Sequence, residues 1–568
     1  MLEKNWVHKE FDKNRVIEMS KEFHISPLTS IILYNRGIRE SADIAEFLNC
    51  SLENLHDPYL LKDMDKAISR IKQAKENNEK ITIYGDYDVD GITSIAILYG
   101  HLKEMGFEVD YYVPDRIQEG YGVNRDALDK IRESGTKVVI TVDTGITAVE
   151  ETEYAKEIGM DIIITDHHEC KEKIPEAFAA IDPKRKDCKY PFKNLAGVGV
   201  AFKFIQAMDS ESTVEELMEK YADLVCLGTV ADISPLIDEN RIMVTEGLKR
   251  FKETKNVGLK ALLDVSLTND KAITTSTIGY IIAPRINASG RLGCASRSVE
   301  MFLTNDVDKA HELAEGLCEE NTIRQQTEQK MFAETLEYIK NNPQIKDDRV
   351  LVIPHENWHH GIVGIVSSKI TEKFYKPSIL FAIDGDEAKG SGRSISGYNL
   401  FESLENCSDL LEKFGGHELA AGLSIKTENI EKFRVAINEN AEFKLDEKGF
   451  VPTIPIDAVI KPNYITLETV DEINRLQPFG VDNPSPIFAV KNIKIHKIST
   501  MSENKHLRMT LLKDGKFLDA VGFGMGEYYD VLNRGDFINV AFGLDINDYK
   551  GYKNVQLVLK DIKTTEVN

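Results

Sequence analysis

The residues best suited to chemistry fall in four short stretches. Asp86, Asp88 and Asp90 stand at alternate positions in Ile83-Tyr84-Gly85-Asp86-Tyr87-Asp88-Val89-Asp90-Gly91-Ile92-Thr93-Ser94. Carboxylate oxygens gathered this closely suit a hard divalent cation, Mg²⁺ or Mn²⁺. The alternative is an ordinary charged turn between a strand and a helix. Val138–Val142 ends in Asp143-Thr144-Gly145, and Ile162–Thr165 ends in Asp166-His167-His168. Tyr221-Ala222-Asp223-Leu224-Val225-Cys226-Leu227-Gly228-Thr229-Val230-Ala231-Asp232-Ile233 reads as an apolar helix bearing Asp223 and Asp232. A carboxylate in so apolar a segment is costly unless it is paired or binds metal.

These groups need elements to position them. Short apolar runs at Ile81–Tyr84, Phe107–Val113, Val138–Val142, Ile162–Thr165 and Ala179–Ile181, with helical segments between, predict βαβ units and a mostly parallel sheet. Parallel strands end on one edge, and ligands of open α/β sheets bind at that edge. Any one Asp at a strand end is an ordinary loop residue; three strand ends carrying Asp or His point to a site. The stretch Ser94–Leu98 predicts a helix with its N-cap near Thr93 or Ser94.

The 568 residues exceed one compact core and predict three or four domains. With 42% hydrophobic and 29% charged residues the composition is that of a soluble globular protein. No apolar run approaches a membrane span, and Met1–Trp6 has no apolar signal core. Seven scattered cysteines without a CxxC pair argue against a zinc ribbon or a disulfide framework and for a reducing cytoplasm. A formal net charge of −23 weighs against coating DNA by bulk electrostatics. It leaves room for a nuclease, whose metal site is acidic and whose groove is basic only locally.

Along the rest of the chain, residues 1 to about 75 read as mostly helical, with Pro27 and Pro58 as breakers. The Gly197-Val198-Gly199 pair lacks the setting of a dinucleotide site and reads as close packing at a helix start. Pro284–Gly293 places Arg285 and Arg291 among small residues on an expected loop, which suits a phosphate. Residues 305–342 read as one or two long helices, with Ala310, Leu313, Leu317, Ile323, Met331, Leu336 and Ile339 on an apolar face. A second α/β region, about 349–445, carries strands at 350–353 and 377–381. Its Gly-rich loops Gly390–Ser394 and Phe414–Gly422 could make an anion cradle with Ser391, Arg393 and His417. The spacing of His355, His359 and His360 argues against a metal there. From about 450 to 565 a strand-rich pattern predicts a small barrel, with a basic stretch from Lys491 to Arg508 that suits single-stranded nucleic acid.

Asp86-Tyr87-Asp88-Val89-Asp90-Gly91, Asp143-Thr144-Gly145, Asp166-His167-His168 and Gly228-Thr229-Val230-Ala231-Asp232 resemble, in order, the four motifs of the DHH phosphoesterase superfamily. Pro284–Gly293, Trp358–Gly364, Gly392-Arg393-Ser394, Gly415-Gly416-His417 and Pro478-Phe479-Gly480 ahead of Asn483-Pro484 resemble its RecJ branch, the single-stranded-DNA exonucleases acting 5′→3′. The resemblance runs from about residue 80 to 560. It implies a helical segment at 1–75, a DHH catalytic α/β domain at 76–304 and a connecting helix at 305–342. A DHH-associated α/β domain at 343–448 and an OB-fold barrel at 449–568 would follow, with no further C-terminal domain. It also implies two Mn²⁺ or Mg²⁺ ions, roughly 3.5–4 Å apart in such sites. Asp143 would bridge them, Asp86 and Asp88 would hold one ion, and Asp90, His167 and Asp232 the other. Many relatives begin the first motif with a histidine; here Asp86 takes that place. His168 would face the scissile phosphate and Asp166 would orient a histidine. Arg116, Arg285, Arg291, Ser391, Arg393 and His417 would contact the strand and its phosphates. The partners implied are single-stranded DNA, a single-strand-binding protein and a helicase; a monomer in the cytoplasm is expected. Two other readings remain open, a phosphodiesterase of short oligonucleotides or cyclic dinucleotides and an inactive DNA-binding replication scaffold.

Overall fold

The runs rich in Ile, Val and Thr form a five-stranded parallel sheet, ordered in space 109–112, 80–85, 136–142, 161–165 and 179–181. β-Branched side chains favour the pleated backbone, and helices covering both faces bury the central strands apart from residues near their starts. The computed structural model describes residues 3–115, 119–120, 122–267, 272–293, 295–442, 450–549 and 551–564. Arg116 lies outside the described residues.

Register fixes the site edge. Gly85 pairs with Val142, Val142 with Thr165, and Thr165 with Ile181. The next residue on each strand is an aspartate: Asp86, Asp143, Asp166 and Asp182. Four carboxylates therefore line up across one edge. The helix after the first strand spans Val89–Glu104 and starts earlier than expected from Thr93 or Ser94. Asp88 is its N-cap, accepting from the amides of Asp90 and Gly91, so Asp90 falls inside the first turn.

Pro284–Gly293 is not a loop. Ala283–Leu292 is helical and runs on without a break from a π-helical turn, Ile278–Ile282, so Pro284 follows a turn of wider winding. The connector is a single helix, Val307–Asn341, of 35 residues and about 52 Å. Ile323 is half exposed and does not belong to its buried stripe. The middle of that stripe is polar instead: Arg324 donates to Asn321 and pairs with Glu328, which also meets Lys369.

The second sheet runs in the order 413–416, 420–426, 387–393, 378–384 and 351–356, antiparallel except for its last pair. The expected Gly-rich loops are thus mostly strand. Hairpin pairing satisfies their backbone amides and leaves little of them as a free anion cradle.

The C-terminal strands 488–501, 506–513, 516–522, 552–564 and 537–549 pair in that order and close back on the first. The first 75 residues contain one strand, Asn5–His8, which pairs in parallel with Thr453–Ile456. The helices Lys13–Glu22, Pro27–Asn35 and Ser41–Leu48 share one apolar core with the barrel. Met64–Glu76 packs with the parallel sheet instead.

Candidate metal centre and phosphate cradle

The four motifs converge at the C-terminal edge of the parallel sheet. Ligand atoms of Asp86, Asp88 and Asp143 lie within 4.8 Å of one another, as do those of Asp90, His167 and Asp232, and those of Asp143, His167 and His168. Asp143 and His167 each belong to two of these groups. The His167 Nε2 is 3.0 Å from Asp143 Oδ1 and 3.8 Å from Asp90 Oδ2, and its Nδ1 is 4.0 Å from Asp232. Asp143 is in the left-handed backbone region, φ 58°, which turns its carboxylate back over the strand ends.

Glycines admit this convergence. The helix Gly197–Met208 begins against Asp90, and the amides of Gly197 and Val198 donate to its two oxygens at 2.7 and 2.8 Å. A Cβ on Gly197 would lie 2.7 Å from the Asp143 Cβ, and one on Gly228 would overlap Thr93 and Asp90. Asp232 is the C-cap of Val214–Ala231 and accepts from Ser234 at 2.6 Å. Asp223, in the middle of the same helix, accepts from Thr254 and stays out of the site.

The electrostatics suit a cation. Burial, then repulsion from neighbouring carboxylates, pushes Asp90 and Asp143 well above the usual carboxylate range; burial also raises Asp232. Burial keeps His167 below its ordinary value, as a neutral imidazole able to ligate. A carboxylate-rich cluster with one neutral imidazole, crowded to the point of holding protons, fits divalent cations. Asp166 differs. It accepts from the amides of Ile146, His167 and His168 and from His168 Nδ1, the last at 2.7 Å. Although burial opposes it, that contact raises His168 to about 9 and holds Asp166 below its ordinary value.

A second set of groups faces this edge. In the helix Ala283–Leu292, a Cβ on Gly290 would sit 2.7 Å from the carbonyl of Tyr87, so the helix rests on the first motif. Arg291 donates to the carbonyl of Gly361 at 2.9 Å, in the first turn of His360–Phe374. One turn on, Gly364 lies against Ser391 and Arg393, and Arg393 donates to Ser391 Oγ at 3.1 Å. Arg291, Ser391 and Arg393 thus gather at a helix N-terminus, where amides and the dipole favour an anion. His417 is exposed in the hairpin; its amide donates to Ala420, the residue opposite Arg393. Arg285 donates to the Ile281 carbonyl, and its buried Nε has no hydrogen-bond partner among the described residues. His355 stacks on Trp358, and His359 caps its helix.

Family models match along the chain: the N-terminal domain of the DHH family at 80–229, the DHHA1 domain at 347–442 and the RecJ OB domain at 456–561. The single-stranded-DNA-specific exonuclease RecJ of Bacillus subtilis (strain 168) is 40% identical over 564 residues, covering 99% of this chain and 71% of that protein. The chain belongs to the RecJ family. Two crystal structures of RecJ from Thermus thermophilus share its fold. The one in complex with Mn²⁺ has TM-score 0.84 at 27% identity, covering 99% of this chain and 80% of that one. The one in complex with Mg²⁺ has TM-score 0.79 at 26% identity, covering 99% and 79%.

Sequence reasoning about this RecJ-family site missed two contributors. Asp182 is fully buried at the fourth strand end, and burial with the nearby Asp166 carboxylate raises it to about 7. The apolar run ahead of it is the same signal as at Asp143. The Gly197 and Val198 amides hold Asp90, a role that the spacing of two glycines does not reveal.

Proposed function

We propose that this chain is a metal-dependent exonuclease that hydrolyses single-stranded DNA 5′→3′ and releases nucleoside 5′-monophosphates in DNA repair and recombination. The observation that carries this reading is the convergence of Asp86, Asp88, Asp90, Asp143, His167 and Asp232 into ligand groups sharing Asp143 and His167. Mn²⁺ or Mg²⁺ is the cofactor, and two bound ions supply activation of water and neutralisation of charge on the phosphate. Asp143 would be shared between the two ions, with Asp86 and Asp88 holding one and Asp90, His167 and Asp232 the other.

The chain's own residues complete the chemistry. His168, kept protonated by Asp166, donates a hydrogen bond where negative charge builds on the phosphate. Arg291, Ser391 and Arg393 hold a phosphate at the start of His360–Phe374. Arg116, Arg285 and His417 line the strand beyond it. The division is a helical segment at 1–75, a catalytic domain at 76–304, a connecting helix at 305–342, a DHH-associated domain at 343–448 and a strand-binding barrel from 449. The protein works as a monomer in the cytoplasm, supplied with single strands by a helicase and a single-strand-binding protein.

The barrel favours long single strands over cyclic dinucleotides, and the filled ligand positions favour an enzyme over a scaffold. The test is hydrolysis in Mn²⁺ of 5′- and 3′-labelled single strands, duplexes and dinucleotides. Mononucleotide release from 5′ ends of single strands is expected. Asp143→Ala should lower it roughly 10³-fold or more, about 4 kcal/mol of barrier. Activity on dinucleotides alone would overturn the reading.

A further inference from the structure

The turn that carries Asp232 is closed locally by the amides of Ile233 and Ser234 on the carbonyls of Val230 and Thr229, and it is braced in addition from outside the catalytic domain. Ile233, directly after Asp232, has φ 63°, a conformation disfavoured for a β-branched residue, and its side chain is 70% exposed. The Ile233 side chain therefore adds no packing that would hold this strained residue in place. Three residues later the chain is anchored. Leu236, almost fully buried, donates its amide to the carbonyl of Val481 at 2.8 Å. Gly480 lies so close that a Cβ there would be 2.6 Å from the Leu236 side chain.

Val481 and Gly480 belong to Pro478-Phe479-Gly480-Val481-Asp482-Asn483-Pro484, a motif that the chemistry described above does not use. The loop that bears it is itself rigidly held. Asn483 is fully buried; its side-chain amide donates to the carbonyls of Leu476 and Pro478 at 2.9 and 2.7 Å. The Gly480 amide donates to the Asn483 carbonyl at 2.9 Å. Thr275, at the start of the segment leading to Arg285, donates to the Phe479 carbonyl at 2.7 Å. Arg241, buried in the helix that follows the Asp232 turn, donates to the Leu476 carbonyl at 2.9 Å. From the N-terminal helices, Arg36 donates to Asn483 Oδ1 and to the Pro484 carbonyl, both at 2.5 Å.

We infer that the loop 476–484 is a positioning element of the metal centre, with Gly480 and Asn483 setting metal affinity through the Leu236 anchor without touching the ions. The inference rests on the metal reading of Asp232. It also gives the N-terminal residues 1–48 a role in the site, because Arg36 braces the loop. An outer group that orients a ligand typically governs metal affinity about 10–100-fold when removed.

The test is Mn²⁺ binding to the full chain by calorimetry and by the spin resonance of free Mn²⁺, with thermal melting alongside. The variants are Gly480→Val, Asn483→Ala and Arg36→Met, which sits far in sequence from the site and remains soluble if either of the others does not fold. Val540→Ala, in the barrel core, controls for loss of barrel stability. Expected is Mn²⁺ binding weakened by roughly tenfold in the loop variants, with exonuclease kcat restored by excess Mn²⁺ and Val540→Ala unchanged in affinity. Unchanged affinity in all loop variants, or an equal loss in Val540→Ala, overturns the inference. Asp232→Ala separates the two readings: if it too binds Mn²⁺ normally, the metal reading of Asp232 is what fails.

Discussion

Asp166 and His168 form the pair whose chemistry is most sharply set by one contact. The 2.7 Å hydrogen bond from Nδ1 fixes the ring and holds a proton on it at neutral pH. In the metal-free protein, His168 should titrate near about 9 by NMR, and Asp166→Asn should move it down toward the ordinary 6.5. The sign for stability follows from the raised value. The contact stabilises the fold fully below pH 6.5 and is lost as pH rises through about 9. A His168 titration left near 9 in Asp166→Asn would show that the carboxylate is not its cause.

At the scale of elements, the site depends on helices that start and pass unusually close to carboxylates. Gly228→Ala puts a methyl against Thr93 and Asp90, between the helices Val89–Glu104 and Val214–Ala231. Helices in contact cannot part for one methyl without straining the core, at a cost of about 1–3 kcal/mol. Activity should drop by at least about tenfold while the circular dichroism spectrum stays native, since a shift of this size at Asp90 would misalign the proposed site. The other end of Val89–Glu104 carries His101, buried against Tyr221 at 3.0 Å and 3.6 Å from Asp209, with Lys220 also near. Burial lowers it from 6.5 to about 4. Between those values the unfolded chain binds the proton and the folded one does not, so stability falls as pH drops from 6.5 to about 4. The loss is at most roughly 3 kcal/mol. His101→Gln should flatten that acid limb in urea titrations; an unchanged limb would assign acid lability to other groups.

Across the whole molecule, the first and last segments of the chain form one unit. Asn5–His8 adds to Thr453–Ile456, and Met19, Ile32, Leu33 and Ile44, all fully buried, share a core with Ile460, Leu476 and Phe488. Each such side chain contributes about 1.5–3 kcal/mol of burial. Deleting residues 1–48 should therefore destabilise the barrel rather than the catalytic sheet. Limited proteolysis should then cut within 450–564 first and leave a fragment covering about 61–442. Early cleavage in the parallel sheet would contradict this division. The connecting helix Val307–Asn341 supports the same view, since its buried middle is a charged network rather than an apolar seam.

The amino-acid sequence alone determined the parallel sheet and the carboxylates and histidines at its strand ends. Period and β-branching mark strands, and a carboxylate after an apolar run marks a strand end whatever surrounds it. It also contained Asp182, whose preceding run has the same form as the others. Other features were decided only by tertiary structure. Arg285 and Arg291 sit on a helix because small residues let it rest on Tyr87, a contact between distant segments. The Gly-rich stretches became hairpin strands through pairing partners that local propensity does not name. The register that lines up Asp86, Asp143, Asp166 and Asp182, and the loop from residue 476 to 484 that meets Leu236, are long-range packing. Local sequence encodes the preference of each element; only the folded chain fixes which elements meet.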